Sequence, residues 1–259
     1  MPELPEVERA RALIEARGLG RRIVEVDDSD TWVCRPHAPG EIADALVGRT
    51  LTAALRRGKS MWCETDDGEG PELGIHLGMA GRVIIDDVAA GDRLIGPDGA
   101  KWDRFALRFE DGGILTLRDK RRLGRVRLQP DLAGVGPDAA LVGREAFRER
   151  VGRGTAPLKA RIMDQAVIAG VGNLLADEAL WQARLSPERP AGSLTAEELD
   201  RLRRAIRAAV RSAVRLGGAH TGTLIAHRER GGRCPRCGTE LSRATVGGRT
   251  TYWCPVHQT

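Results

Sequence analysis

A chain of 259 residues is long enough for two or three domains, and 41% hydrophobic with 30% charged residues is the composition of a folded rather than a disordered protein, though with only 3% aromatics the core must be built from aliphatics. No apolar run approaches the ~20 residues that span a bilayer, and Met1-Pro2-Glu3-Leu4-Pro5-Glu6 lacks the basic start and apolar stretch of a signal peptide; a cytosolic protein is expected. The net charge of +5 is uneven: residues 201–259 hold twelve arginines against two glutamates, leaving residues 1–200 at −5, which suits either a polyanion partner or a solvated arginine-rich face.

The first expected element is a helix over Pro5–Arg17. Pro5 fits a first turn, Glu6 and Glu8 complement the positive helix end, and Gly18 stops it. Val7, Ala10 and Ile14 give it one buried stripe. A short helix follows over Glu41–Val47. Short β-branched or alternating runs then predict strands at Arg22–Val26, Thr50–Arg56, Ser60–Glu64, Glu72–Leu77, Gly81–Ile85, Phe105–Phe109, Ile114–Arg118 and Arg125–Leu128. Turn signals separate them at Asp66-Asp67-Gly68, Gly96-Pro97-Asp98-Gly99 and Asp111-Gly112-Gly113. The pattern predicts an N-terminal β-sandwich or barrel over residues 1–128.

Residues 129–137 form a Pro/Gly-containing linker, after which the period turns helical: Arg144–Arg150, Pro157–Ala166, Leu174–Ala183 and a long arginine-rich helix over Thr195–Leu216. Thr195 and Glu198 form a capping box. This helical domain spans 138–230, and residues 231–259 are expected to form a small separate unit. The whole is an α+β multidomain chain.

Three of the five cysteines lie in that last unit. Cys234-Pro235-Arg236-Cys237 is followed after sixteen residues by Cys254-Pro255-Val256-His257. Two ligand pairs at this spacing match a zinc ribbon. A closed Cys₃His set leaves no position for substrate, so the zinc is structural, one per chain, and supplies folding energy to a unit too small to fold alone. His257 as a surface residue beside three cysteines is the alternative. Cys34 and Cys63 stand alone.

If Met1 is removed, the chain begins with the secondary amine of Pro2. An α-amino group, with a pKa of roughly 7.7–8.0 against ~10.4 for lysine, is far more often neutral at pH 7. It can attack a sugar C1′ and form an iminium. Glu3 can move protons, and Glu6 can hold the cation or orient the sugar. On these residues alone, a helix entry with acids placed for the macrodipole explains as much.

The stretch Pro2-Glu3-Leu4-Pro5-Glu6-Val7-Glu8 resembles the opening of the formamidopyrimidine-DNA glycosylase and endonuclease VIII family, whose mature N-terminal proline is the nucleophile. Further resemblances follow in chain order. Arg57-Gly58-Lys59-Ser60 is similar to the family's hairpin lysine, which implies that Lys59 contacts the lesion phosphate and assists strand cleavage. His76-Leu77-Gly78-Met79-Ala80-Gly81 resembles the loop of the intercalating residue, here Met79. Gly170-Val171-Gly172-Asn173 resembles the turn of the helix–two-turns–helix motif. Arg249, in Gly247-Gly248-Arg249-Thr250-Thr251, falls where the family has a phosphate-gripping arginine on its zinc hairpin.

The resemblance implies a bifunctional glycosylase and abasic-site lyase of base excision repair. Double-stranded DNA with a damaged base or abasic site would lie in a basic cleft between a β-rich and a helical–zinc lobe. Lys59, Asn173 and Arg249 would grip phosphates; Met79, Arg121 and Leu123 would fill the gap left by an extruded base. Gly170 and Gly172 would let the backbone approach a phosphate. Lys159 would reach the lesion strand or lie solvated, and the arginine-rich helix would serve as scaffold. A monomer suffices for one lesion. The rival readings are a non-catalytic binder of damaged DNA on the same scaffold and a generic zinc-ribbon protein, which leaves the N-terminus unexplained.

Three positions depart from the family. Asp119-Lys120-Arg121-Arg122-Leu123-Gly124 has Leu123 in place of an aromatic. His257 stands where a fourth cysteine is usual. The stretch 217–232 is shorter than in glycosylases of oxidised guanine, which points toward oxidised pyrimidines, ring-opened purines or abasic sites.

Overall fold

The computed structural model describes residues 2–91, the backbone of 93–94, and residues 99–259; most of the expected Gly96–Gly99 turn lies outside them. The chain divides into two compact units: Met1–Pro2 with Val7–Leu132, and Glu3–Glu6 with Ala133–Thr259.

Among the described residues, the first unit contains helices α1 (Leu4–Arg17, from Val7 onward) and α2 (Glu41–Leu46) with the strands β1 (Ile23–Asp27), β2 (Leu51–Arg57), β3 (Ser60–Thr65), β4 (Leu73–His76), β5 (Arg82–Ile85), β6 (Val88–Ala89), β7 (Arg93–Leu94), β8 (Asp103–Phe109), β9 (Ile114–Arg118) and β10 (Arg125–Leu128). They form antiparallel sheets in the orders β1-β8-β9-β5-β6-β7 and β10-β4-β3-β2. One core takes Phe105, Leu107, Leu115 and Leu117 from the first sheet and Leu51, Met61, Leu73 and Ile75 from the second. In β3, Met61, Cys63 and Thr65 are buried and alternate with half-buried neighbours, the period-two pattern of a strand with one face on a core. The expected helix stripe is buried too, with Val7, Ala10, Leu13 and Ile14 all in that core. The β-sandwich with flanking helices is as expected; β6 and β7, two residues each, are too short to show a period.

The second unit contains α3 (Arg144–Val151), α4 (Leu158–Met163), α5 (Asn173–Ala183), α6 (Ala196–Leu216) and a hairpin of β11 (Ser242–Val246) and β12 (Arg249–Trp253). Helix α6 carries the expected capping box at Thr195 and Glu198 and ends at Gly217 in the left-handed conformation. Leu199, Leu202, Ala205, Ile206, Ala209, Val210 and Ala213 make its buried stripe against α5. Helix α5 is buried almost all round, including Asp177 and Glu178.

Two expectations change here. Helix α4 stops at Met163 rather than running to Ala166, because Asp164 is extended and its carboxylate accepts from Ala166 N at 2.9 Å. Residues 231–259 do not stand apart: Cys234, Leu241, Tyr252 and Cys254 share a core with Trp181 of α5 and Leu224.

Candidate active site and metal centre

The N-terminal segment is seated on the turn before α5. Leu4 N donates to Gly170 O at 3.1 Å. The Glu3 carboxylate, 1% exposed, accepts from Gly172 N (3.0 Å), Leu174 N (2.8 Å) and Leu175 N (3.0 Å). These are orphan donors of a helix N-terminus, and all three contacts require the carboxyl to accept. The glycines make room for this segment rather than for a phosphate. A β-carbon on Gly170 would lie 2.5 Å from Leu4 Cδ1, and one on Gly172 would lie 2.3 Å from Glu3 Cδ.

Glu6 is also bound at both oxygens. Oε2 accepts from Glu3 N at 2.9 Å, and Oε1 accepts from Ala219 N at 2.7 Å in the turn after α6. Pro2, half-buried, precedes Glu3 by one peptide bond.

In the first unit, Lys59 sits in the two-residue turn Gly58-Lys59 between β2 and β3, with Gly58 at φ 60°. Arg56 braces this turn, donating to Glu8 Oε2 (2.8 Å) and to Gly58 O (3.0 Å). Burial works against the charged form of Glu8, but hydrogen bonds from Arg11 and Arg56 outweigh it and hold the carboxyl below its ordinary value. Desolvation, then the charges of Lys59, Arg125 and Arg127, lower the His76 imidazole.

The expected wedge residues lie on adjoining loops of the same unit. Met79 is 40% and Leu123 38% exposed. Gly78 packs against the backbone beside Leu123: a β-carbon there would come within 2.3 Å of Leu123 O. Fully buried Asp119 holds the second loop by accepting from Arg121 N (2.9 Å), Leu123 N (2.8 Å) and Gly124 N (2.7 Å). Arg121 is exposed.

Lys159 neither lies in solvent nor points to a strand. It is 0% exposed, and its Nζ lies 2.7 Å from Asp177 Oδ1, Asn173 Oδ1 and Thr251 Oγ1. Burial pushes the ammonium below its ordinary value, against the pull of Asp177. Its partners correct the expectation of a direct strand contact: Lys159 positions Asn173. An ammonium only donates, so Asn173 turns its oxygen inward and its NH₂ toward its exposed side. Arg228 completes the cluster, donating to Asp177 Oδ2 at 2.6 Å and to Thr250 O. Arg249 follows the Gly247-Gly248 turn, where φ is 57° and 72°, as a two-residue hairpin loop of this type requires. A β-carbon on Gly247 would lie 2.9 Å from Ala160 Cβ, so the hairpin tip rests on α4 beside Lys159.

The ligand atoms of Cys234, Cys237, Cys254 and His257 lie within 4.8 Å of one another. Cys237 Sγ and Cys254 Sγ are 3.7 Å apart, close to the ~3.8 Å that two thiolates make on a tetrahedral zinc at ~2.3 Å. His257 Nε2 is buried and has no hydrogen-bond partner among the described residues. Three thiols and such an imidazole fit a closed structural zinc. Trp181 Nε1 donates to Cys234 Sγ at 3.4 Å, and Arg236 stacks on Trp181 at 3.8 Å while donating to its carbonyl (2.6 Å), so α5 orients one ligand.

Sequence reasoning missed Glu8, Arg56, Asp119, Asp177 and Arg228. The signal for Asp177 is an acid, next to Glu178, inside a mostly apolar helix; the others carry none until the fold brings their partners together.

Residues 1–126 match the family description "Formamidopyrimidine-DNA glycosylase N-terminal domain", residues 133–224 the H2TH domain of the same glycosylase, and residues 231–256 a "Zinc finger found in FPG and IleRS". A formamidopyrimidine-DNA glycosylase of Nocardioides sp. is 35% identical over 285 aligned positions, covering 100% of this chain and 94% of the relative. A crystal structure of Lactococcus lactis Fpg with abasic-site DNA superposes with a TM-score of 0.83 at 28% identity, covering 99% of each chain. Another, of the same protein with DNA containing an oxidised pyrimidine, gives 0.83 at 29% and the same coverage.

Proposed function

The chain belongs to the formamidopyrimidine-DNA glycosylase family, and from that premise we propose how its residues excise a base and cut the strand. It is a DNA glycosylase and abasic-site lyase of base excision repair, acting on damaged DNA and carrying a structural zinc.

With Met1 removed, the lone pair of Pro2 N attacks C1′ of an extruded nucleotide, and the glycosidic electrons leave with the base. The amine gives its proton to Glu3, which returns it to O4′ as the sugar ring opens to an iminium on Pro2. Loss of a C2′ proton then expels the 3′-phosphate. The observation that carries this reading is the Glu3 carboxylate, fixed by three amide donors one peptide bond from Pro2. An anion held there favours the cationic iminium without reorganisation. Glu6 fixes the Glu3 amide. Lys59 meets the departing phosphate, Asn173 and Arg249 hold neighbouring phosphates, and Met79, Arg121 and Leu123 fill the vacated stack.

A chain with one extra residue before Pro2 tests the nucleophile. Scission of abasic DNA should fall by at least ~10²-fold while affinity stays within a few-fold. Unchanged scission would refute the reading.

An alignment of 285 positions over 259 residues leaves at least 26 where the Nocardioides relative has residues that this chain lacks. We propose that the short 217–232 stretch is among the differences and leaves little to cover an oxidised guanine. Thymine glycol or ring-opened purines would then be excised in preference to 8-oxoguanine, and a clear preference for 8-oxoguanine in matched duplexes would reverse this. Catalytic, helical and zinc parts at 1–128, 138–230 and 231–259, joined through 129–137, and a monomer acting on nucleoid DNA in the cytoplasm, complete the proposal.

A further inference from the structure

Of the five histidines, His220 and His227 are both exposed, and of these two His220 lies in the turn tied to the N-terminal segment. His37 and His76 are hydrogen-bonded, and His257 belongs to the metal cluster. His220 is exposed, and its ring makes no hydrogen bond among the described residues. It sits in the turn Gly218–Thr221, closed by Thr221 N (3.1 Å) and Thr221 Oγ1 (2.7 Å) donating to Gly218 O. Ala219 N ties this turn to Glu6 Oε1 at 2.7 Å, while Glu6 Oε2 holds Glu3 N at 2.9 Å. One carboxylate therefore joins the peptide that follows Pro2 to the turn that carries His220.

Gly218 shows how closely the two groups approach. Its φ of 144° and ψ of 172° belong to a region essentially reserved for glycine. A β-carbon there would lie 2.5 Å from Glu6 Oε1 and 3.0 Å from His220 Nδ1, so carboxylate and imidazole flank one point of backbone. His220 thus offers a free, solvent-connected imidazole beside the segment that carries the nucleophile. Imidazole is the side chain best suited to proton transfer near neutral pH.

We propose that His220 contacts the extruded base and donates the proton its departure requires. The proposal rests on Pro2 being the nucleophile. As Pro2 N bonds to C1′, the C1′–base bond breaks, its electron pair moves onto the base, and the imidazolium Nε2–H supplies the proton. His220 is left neutral and regains a proton from water.

The two reactions of the enzyme isolate this step, because a pre-formed abasic site has no base to protonate. Single-turnover excision from a duplex carrying ring-opened guanine should fall about 10²-fold in His220→Ala. His220→Gln, which keeps a hydrogen bond but cannot transfer a proton, should fall equally. In both variants β-elimination at a pre-formed abasic site should stay within about twofold of the parent. Excision that is unaffected, excision restored by glutamine, or parallel loss of both reactions would each overturn the proposal. Failure of the nucleophile reading is separate: borohydride trapping in the parent protein would then leave Pro2 unmodified, whatever His220 does.

Discussion

Glu3 occupies the space that a side chain on Gly172 would need, its Cδ lying 2.3 Å from where a β-carbon there would stand. The two residues are far apart in the chain, yet the carboxylate closes the N-terminus of α5. Gly172→Ala must displace Glu3, and with it the peptide after Pro2. Scission of abasic DNA should drop by about 10²-fold, the scale of a displacement near 1 Å. Circular dichroism should remain that of the parent. Full activity in this variant would show that Glu3 is not needed where it lies.

Lys159 and Asn173 separate stability from binding. Lys159→Met leaves the buried Asp177 carboxylate with only Arg228 and the Tyr252 amide among the described residues and should cost roughly 3 kcal/mol in urea unfolding. Asn173→Ala removes a half-buried amide. It should unfold close to the parent yet bind DNA with an abasic analogue about tenfold more weakly, the value of one charge-assisted hydrogen bond. Equal stability in both variants would contradict the buried-cluster account.

How much of this was legible in the sequence depended on the range of the interactions. The α6 capping box, the α1 stripe of Val7, Ala10 and Ile14 and the zinc-ligand spacing are local patterns, and the structure realises each of them. The burial of Lys159 is not local. A lysine before a turn looks solvated until Asp177, on the next helix, and Thr251, on a distant hairpin, are packed against it. Gly170 and Gly172 read correctly as sites of close approach, but the approaching group is the protein's own N-terminus.

Glu8 links acid stability to the Lys59 hairpin. Its carboxyl is lowered in the folded state, so its contribution is complete above the unfolded value, near 4.3, and lost as pH falls through the folded one. Glu8→Gln should flatten the dependence of thermal stability on pH below about 5. Because Arg56 then loses its charged partner on α1, abasic-site cleavage should slow at neutral pH as well. A variant with the parent's acid profile would remove Glu8 from this role.

Metal analysis should find one zinc per chain, with His257→Ala weakening its retention by at least about 10²-fold. Chelation should unfold the β11–β12 hairpin and redden the fluorescence of Trp181, which packs on Cys234. Binding to DNA should be lost with it, since Arg249 sits on that hairpin. Undiminished zinc content in His257→Ala would make the site a three-cysteine one.

The most direct test is reduction of the enzyme–DNA intermediate with borohydride, followed by peptide mass spectrometry of the trapped complex. The sugar remnant is expected on the N-terminal peptide, at Pro2, with the preceding methionine absent. An adduct on Lys59 or any other lysine, or strand cleavage with no trapped species at all, would contradict it.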